Sequence, residues 1–230
     1  MPIVIVSRGS YSHGREVAEK LARQLGFECI SRDFLIQVSK EYNVPEVKLT
    51  QALTNSPAML ERYTFARERY INFIKAAILD HLKGDNIVYH GFAGQFFVKD
   101  IAHVLKVRII AGLEDRLKCL MQREQITRPE AMEMIAKIDE ERAKWSSKLY
   151  GIDTWDSRLY DLVINIGRIS IDDAVDMIRR TVQLPPFQTT PGSQRQIEML
   201  AREAQEKLRE DSQKTPFLES MRAAPWRKKL

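Results

Sequence analysis

Apolar and polar positions alternate between two periods along this chain. "PIVIV", with Ile3, Val4, Ile5 and Val6, is a continuous β-branched apolar run, the pattern of a buried parallel strand. From Arg15 the period lengthens. Val17, Leu21, Ala22 and Leu25 fall on one helical face, and Gly26 stands at its stop. "FECIS" predicts a second short strand, so the first unit reads strand, glycine-bearing turn, helix, strand. A helical block follows. One helix is expected over "DFLIQVSKEYN", and another from about Ser56 to Leu82, with Ser56 as N-cap and Pro57 in the first helical position. Leu60, Tyr63, Tyr70, Phe73, Ile74, Ala77 and Ile78 recur at helical spacing, which favours a core face over a ligand box.

Three more strands are expected, in "GDNIVYHG", "HVLKVRIIAG" and "YDLVINI". Between the last two lie a charged helix, "EDRLKCLMQREQ", and a helix opened by the capping box Thr127 to Glu130 and running to about Leu149. "SIDDAVDMIRRTV" closes the body, with Ser170 as its cap. Strand and helix alternate nearly throughout, which predicts an α/β sandwich around a parallel sheet, with a helical insertion after the second strand. At "LPPFQTTPGS" composition shifts to that of a linker. Beyond it Ile197, Leu200, Ala201, Ala204 and Leu208 form a narrow apolar stripe on a charged helix. Docking on the body, docking on a second subunit, and mobility all fit that stripe.

Composition changes little in this picture. With 44% hydrophobic and 29% charged residues the chain is an ordinary globular one. It has no apolar run long enough for a membrane span and no signal-peptide start, so a cytoplasmic protein is expected. Cys29 and Cys119 make neither a metal cluster nor a disulfide framework. The net charge of +5 comes from basic residues mixed with acids, without an aromatic-basic cluster, so nucleic acid is not the expected partner.

The chemistry concentrates in "GSYSHGRE". Gly9 and Gly14 fit G-x-x-x-x-G after a strand and before a helix, the context in which backbone N–H groups and a helix N-terminus receive phosphate. Arg15 stands where that pattern has Lys; it keeps the charge and can bind phosphate through two parallel N–H bonds. Glu16 stands where the pattern has a magnesium-binding hydroxyl. A carboxylate can hold Mg²⁺, or simply favour the helix dipole, and Ser10 or Ser12 can supply the hydroxyl.

"SRGSYSHGREVAEKLARQLG", "LEDRLKCLMQREQIT", "KIDEERAKW" and "GIDTWDSRLYDLVINIGRISIDDAVDMI", in that order and spacing, resemble the cytidylate kinase-like family, in which an Arg-Glu pair commonly replaces Lys-Ser/Thr. The resemblance covers about residues 1–183 and implies a P-loop NTPase fold. That fold is a parallel five-stranded sheet sandwiched by helices, with a helical monophosphate-binding insertion over about 34–84 and a lid over about 122–150. Residues 184–230 remain as linker, amphipathic helix and tail. It also implies transfer of the γ-phosphoryl of ATP to CMP or dCMP with Mg²⁺.

By motif, Gly9, Ser10, Tyr11, Ser12, His13, Gly14 and Arg15 correspond to the ATP-phosphate loop, and Glu16 to the metal position. Arg142 corresponds to the lid arginine and Asp139 to its companion acid, with Arg116 and Arg123 as further candidates. On the acceptor side the resemblance points to Arg32 and Asp33 after the second strand and to His90 and Gly91 after the third. There Phe92 takes the place of a family arginine, and His90 that of a common acid. A second reading stays open beside the kinase: a nucleotide-binding regulatory module with little turnover, whose C-terminal helix engages a partner or a second copy.

Overall fold

The computed structural model describes residues 2–31, 34, 64–91 and 94–214. Strands β1 (Ile3–Arg8), β2 (Glu28–Ser31), β3 (Ile87–His90), β4 (Val104–Ala111) and β5 (Leu162–Ile166) form one parallel sheet in the order β2-β3-β1-β4-β5. β1 lies at the centre, with Val6 in register with both His90 and Val107. Its alternate side chains enter different cores: Ile3 and Ile5 face one, Val4 and Val6 the other. This is why the run is apolar without alternation, since neither face of the strand meets water.

Helix α1 (Gly14–Leu25) follows β1, and Gly26 ends it in the left-handed conformation at φ 67°. With α6 (Ile171–Val182) it covers the face of Val4 and Val6. The other face is covered by α2 (Thr64–Leu82) and the short α3 (Gly94–Phe97). Phe73, Ile74, Ala77 and Ile78 of α2 are buried there, so this part of the expected insertion belongs to the main core. Residues 35–63, including most of the first expected helix and the Ser56 start of the second, lie outside the described residues. Helices α4 (Leu113–Glu124) and α5 (Arg128–Tyr150) stand between β4 and β5, and the Thr127–Glu130 capping box opens α5 as its spacing predicts.

The stripe on the last helix, α7 (Pro191–Lys214), docks on the body of its own chain. Ile197, Ala201, Ala204 and Leu208 are buried in the core that α2 lines, and Gln205 donates to Asp80 at 2.8 Å. Burying side chains the size of Ile197 and Leu208 contributes about 1.5–3 kcal/mol each. The stretch read as a linker is also held. Thr189 donates to Asp85 at 2.9 Å, and the Ser193 hydroxyl accepts from the Thr190 N–H at 3.0 Å where α7 begins. Thr and Ser suit both a connecting segment and a helix cap, and here they serve as both.

His103, just before β4, is fully buried, with Asp85 at 3.4 Å. Burial pushes its pKa down, against the opposing pull of Asp85. A histidine kept neutral by folding binds protons more readily in the unfolded chain, so its contribution is complete above about pH 6.5 and is lost as pH falls below that. The melting temperature is expected to drop between pH 7 and pH 5, and to drop less in His103→Asn. Equal slopes in the two proteins would contradict this assignment.

Candidate active site

The loop between β1 and α1 is pinned at its base. Gly9 N–H donates to the Ile109 carbonyl at 3.1 Å. The Ser12 hydroxyl lies 3.0 Å from the Gly9 carbonyl and 3.1 Å from that of Ile109, and donates between them. Tyr11 and His13 take left-handed conformations, φ 53° and 60°, which side chains other than glycine adopt at a cost. Turns of this kind curl successive N–H groups toward a common point, and here they feed directly into a helix N-terminus. Gly14 is required by packing: a Cβ there would sit 2.5 Å from the Cβ of Arg8.

A partly buried ionic network ties this loop to α4 and α5. Arg116, only 8% exposed, donates from Nε to the Ser10 carbonyl at 2.8 Å. Its Nη2 bonds both the Ser10 hydroxyl and, at 2.6 Å, the Asp139 carboxylate. Ser10 in turn donates to the other oxygen of Asp139 at 2.6 Å. Tyr11 packs against the small core of Leu117, Leu120, Ala131 and Ile135. On the outer side Arg128 clasps Glu114 through two N–H bonds of 2.8 and 2.7 Å, which holds the Glu114 carboxyl below its ordinary pKa.

Above the C-terminal ends of β1, β3 and β4 these elements enclose a cavity, where ligands of open parallel sheets bind. Arg8, Gly9, Gly91, Gln95, Arg108, Asp139, Arg142 and Trp155 are among the residues that line it. Arg142 reaches in from α5 and donates to the Arg8 carbonyl at 3.3 Å. Arg8, Arg108 and Arg142 thus share the lining with one carboxylate, Asp139, which Arg116 already engages. Such a cavity suits an anion.

The structure therefore gathers Gly9, Asp139, Arg142 and Gly91 around one space, with Ser10 bonded to Asp139 beside it. Gly91 also leaves room for Tyr89, whose hydroxyl would lie 2.6 Å from an added Cβ. Other expected residues stand elsewhere. Arg15 is largely exposed on α1 and donates to Glu19 at 2.7 Å. Glu16 is exposed and lies 3.2 Å from the His13 ring. His90 is buried at the end of β3, in register with Val6 and Ser31, and does not line the cavity. Arg123 is exposed beside Glu124. Arg32, Asp33 and Phe92 lie outside the described residues.

Sequence reasoning missed Arg108 and Trp155. The signal for Arg108 was present, a single arginine inside the apolar run "VRIIA". Trp155 carried none, because a loop residue becomes part of a site only through the fold. Among the described residues no cluster of three His, Cys, Asp or Glu forms a cation cage. A cage is not needed for Mg²⁺ that arrives on nucleotide phosphates and takes one or two carboxylates from the protein. Glu16, exposed in the first turn of α1, fits such a single contact.

A glycine loop between the central strand and a helix, within a five-stranded parallel sheet flanked by helices, defines a P-loop NTPase fold. The chain belongs to the cytidylate kinase-like family, whose sequence pattern matches residues 3–168. It is 27% identical over 183 residues to the cytidylate kinase of Ignicoccus hospitalis, covering 78% of this chain and 98% of that protein. It is 26% identical over 181 residues to that of Thermococcus kodakarensis, covering 78% and 87%. An uncharacterized protein from Eubacterium ventriosum has a similar crystal structure, with TM-score 0.60 at 24% identity, covering 79% of this chain and 98% of that one.

Proposed function

We propose that this protein transfers the γ-phosphoryl group of ATP to a nucleoside monophosphate, CMP or dCMP foremost. The loop from Gly9 to Gly14 holds the ATP phosphates at the mouth of α1. The cavity beside it receives the acceptor, and α5 acts as the lid. An acceptor phosphate oxygen forms the new bond to the γ-phosphorus while the bond to the ADP oxygen breaks, and ADP leaves. Catalysis in such a transfer is positioning plus stabilisation of charge, with water kept out. When bound, Mg²⁺ would supply further neutralisation of charge, and Glu16 is the side chain that would hold it.

One observation carries this reading: Arg142 stands over the end of the phosphate loop, within hydrogen-bond reach of the Arg8 carbonyl, in a cavity rich in guanidinium groups. Asp139 keeps α5 in register by way of Arg116 and Ser10. The names of the relatives favour cytidine nucleotides as acceptors.

ADP release measured by coupled assay across a panel of nucleoside monophosphates tests the proposal. Turnover is expected with CMP and dCMP. Arg142→Ala is expected to lower kcat by about 10²–10³-fold, the usual loss when one charge-stabilising donor is removed. The exposed placement of Arg15, paired with Glu19, favours the alternative of a nucleotide-binding module. ATP binding without turnover on any member of the panel would establish that alternative and end the kinase reading.

A further inference from the structure

Arg108 sits in β4 between Val107 and Ile109, both fully buried, and is itself only 5% exposed. A guanidinium is a permanent cation, and its burial without a counter-charge is costly. One terminal nitrogen, Nη1, donates to the Ser7 hydroxyl and to the Tyr160 hydroxyl, each at 3.2 Å. These partners are neutral. Nε is buried without a hydrogen-bond partner, and among the described residues no carboxylate forms an ion pair with this side chain. Arg116 makes the contrast plain: it is buried to a similar degree, yet it has Asp139.

Two aromatic rings lie near the Arg108 guanidinium. The Trp155 ring centroid lies 4.8 Å away and that of Tyr160 5.4 Å. These rings supply no counter-charge, and it is the in-plane N–H groups of an arginine that bind oxyanions. The side chain lines the same cavity as Gly9 and Arg142.

We infer that Arg108 is the anion-reading residue of the acceptor side, and that the acceptor must carry an oxyanion, a phosphomonoester in the first place, to complete this buried charge. The inference rests on the proposed reading in assigning the ATP phosphates to the loop and the acceptor to the cavity. It makes Arg108 a determinant of specificity: a nucleoside, which offers only hydroxyls, does not balance the guanidinium, whereas its monophosphate does.

The test is calorimetric, on the full chain saturated with Mg²⁺ and a non-hydrolysable ATP analogue so that the loop is occupied. CMP, cytidine and inorganic phosphate are titrated in turn. Arg108→Gln is expected to weaken CMP binding by about 10–100-fold, the range for a lost charge-assisted hydrogen bond. The Kd of the ATP analogue is expected to stay within about twofold, since loop contacts are untouched. Arg108→Lys should recover part of the loss. Arg108→Met, which keeps most of the apolar stem, supplies the same comparison if the glutamine variant folds poorly.

Loss of CMP and phosphate binding with cytidine unaffected supports the assignment. Unchanged CMP and phosphate binding in both variants overturns it, as does equal loss of cytidine and CMP, or a wild type that binds neither CMP nor phosphate. If the wild type binds phosphate through Arg108 but no nucleoside monophosphate, the proposed acceptor falls while the anion site stands.

Discussion

Gly14→Ala is expected to remove nearly all phosphoryl transfer while leaving a folded protein. The new Cβ would meet the Cβ of Arg8 at 2.5 Å. Both atoms are fixed to the backbone, so no rotamer change relieves the contact and the loop must move against β1. Overpacking of this sort costs about 1–3 kcal/mol. Alanine is the better helix former by about 1 kcal/mol, and Gly14 opens α1, so part of that cost is offset. The net effect on stability is therefore modest, about 0–2 kcal/mol. Activity is more sensitive, because a displacement near 1 Å in positioning groups costs about 10²-fold. Chemical denaturation and the ADP-release assay together check this: a small change in the first with a loss of about 10²-fold or more in the second is expected. A Gly14→Ala protein as active as the wild type would mean that the loop does not set the geometry of transfer.

Arg116→Ala is expected to have the largest effect on stability among the site variants. Its guanidinium satisfies the Ser10 carbonyl, the Ser10 hydroxyl and Asp139 at once. Truncation leaves a carbonyl unpaired and a carboxylate without its cation. Breaking a fully buried ion pair costs about 3–5 kcal/mol. Asp139 keeps 30% of its side chain in contact with solvent, which lowers the expectation to about 2–4 kcal/mol. The same change releases α5 from the loop, so kcat should fall as well. A double-mutant cycle with Asp139→Asn separates the pair from the rest: the coupling should exceed about 1 kcal/mol, as for residues in one network. Additive losses would show that Arg116 and Asp139 act independently.

The strands and the helix caps were legible because their causes are local. β-branched runs, the Thr127 and Ser170 capping boxes and Gly26 each specify their element within a few residues. The loop was legible for the same reason, being one contiguous motif in the required context. The side-chain directions within it were not. Arg15 occupies the position of a phosphate-binding lysine, yet an acid four residues on, Glu19, draws it along the exposed face of α1. Nothing near Arg116 in the chain marks it as the hub of this network, because its partners Ser10 and Asp139 are 106 and 23 residues away. The stripe on α7 was visible, but its target was not, since any apolar face of the right width fits a helix of that pattern. Arg108 could have been found: a charge in the middle of a strand buried on both faces demands an explanation that periodicity alone does not give.

Phosphoryl transfer by this chain requires that the loop from Gly9 to Gly14 hold the phosphates of ATP. Calorimetric titration of Mg²⁺-ATP into the full chain measures that directly. One nucleotide per chain is expected to bind, with affinity falling at least about tenfold in Gly14→Ala as the loop is displaced. No heat with ATP, or equal heat and affinity in the two proteins, would contradict it.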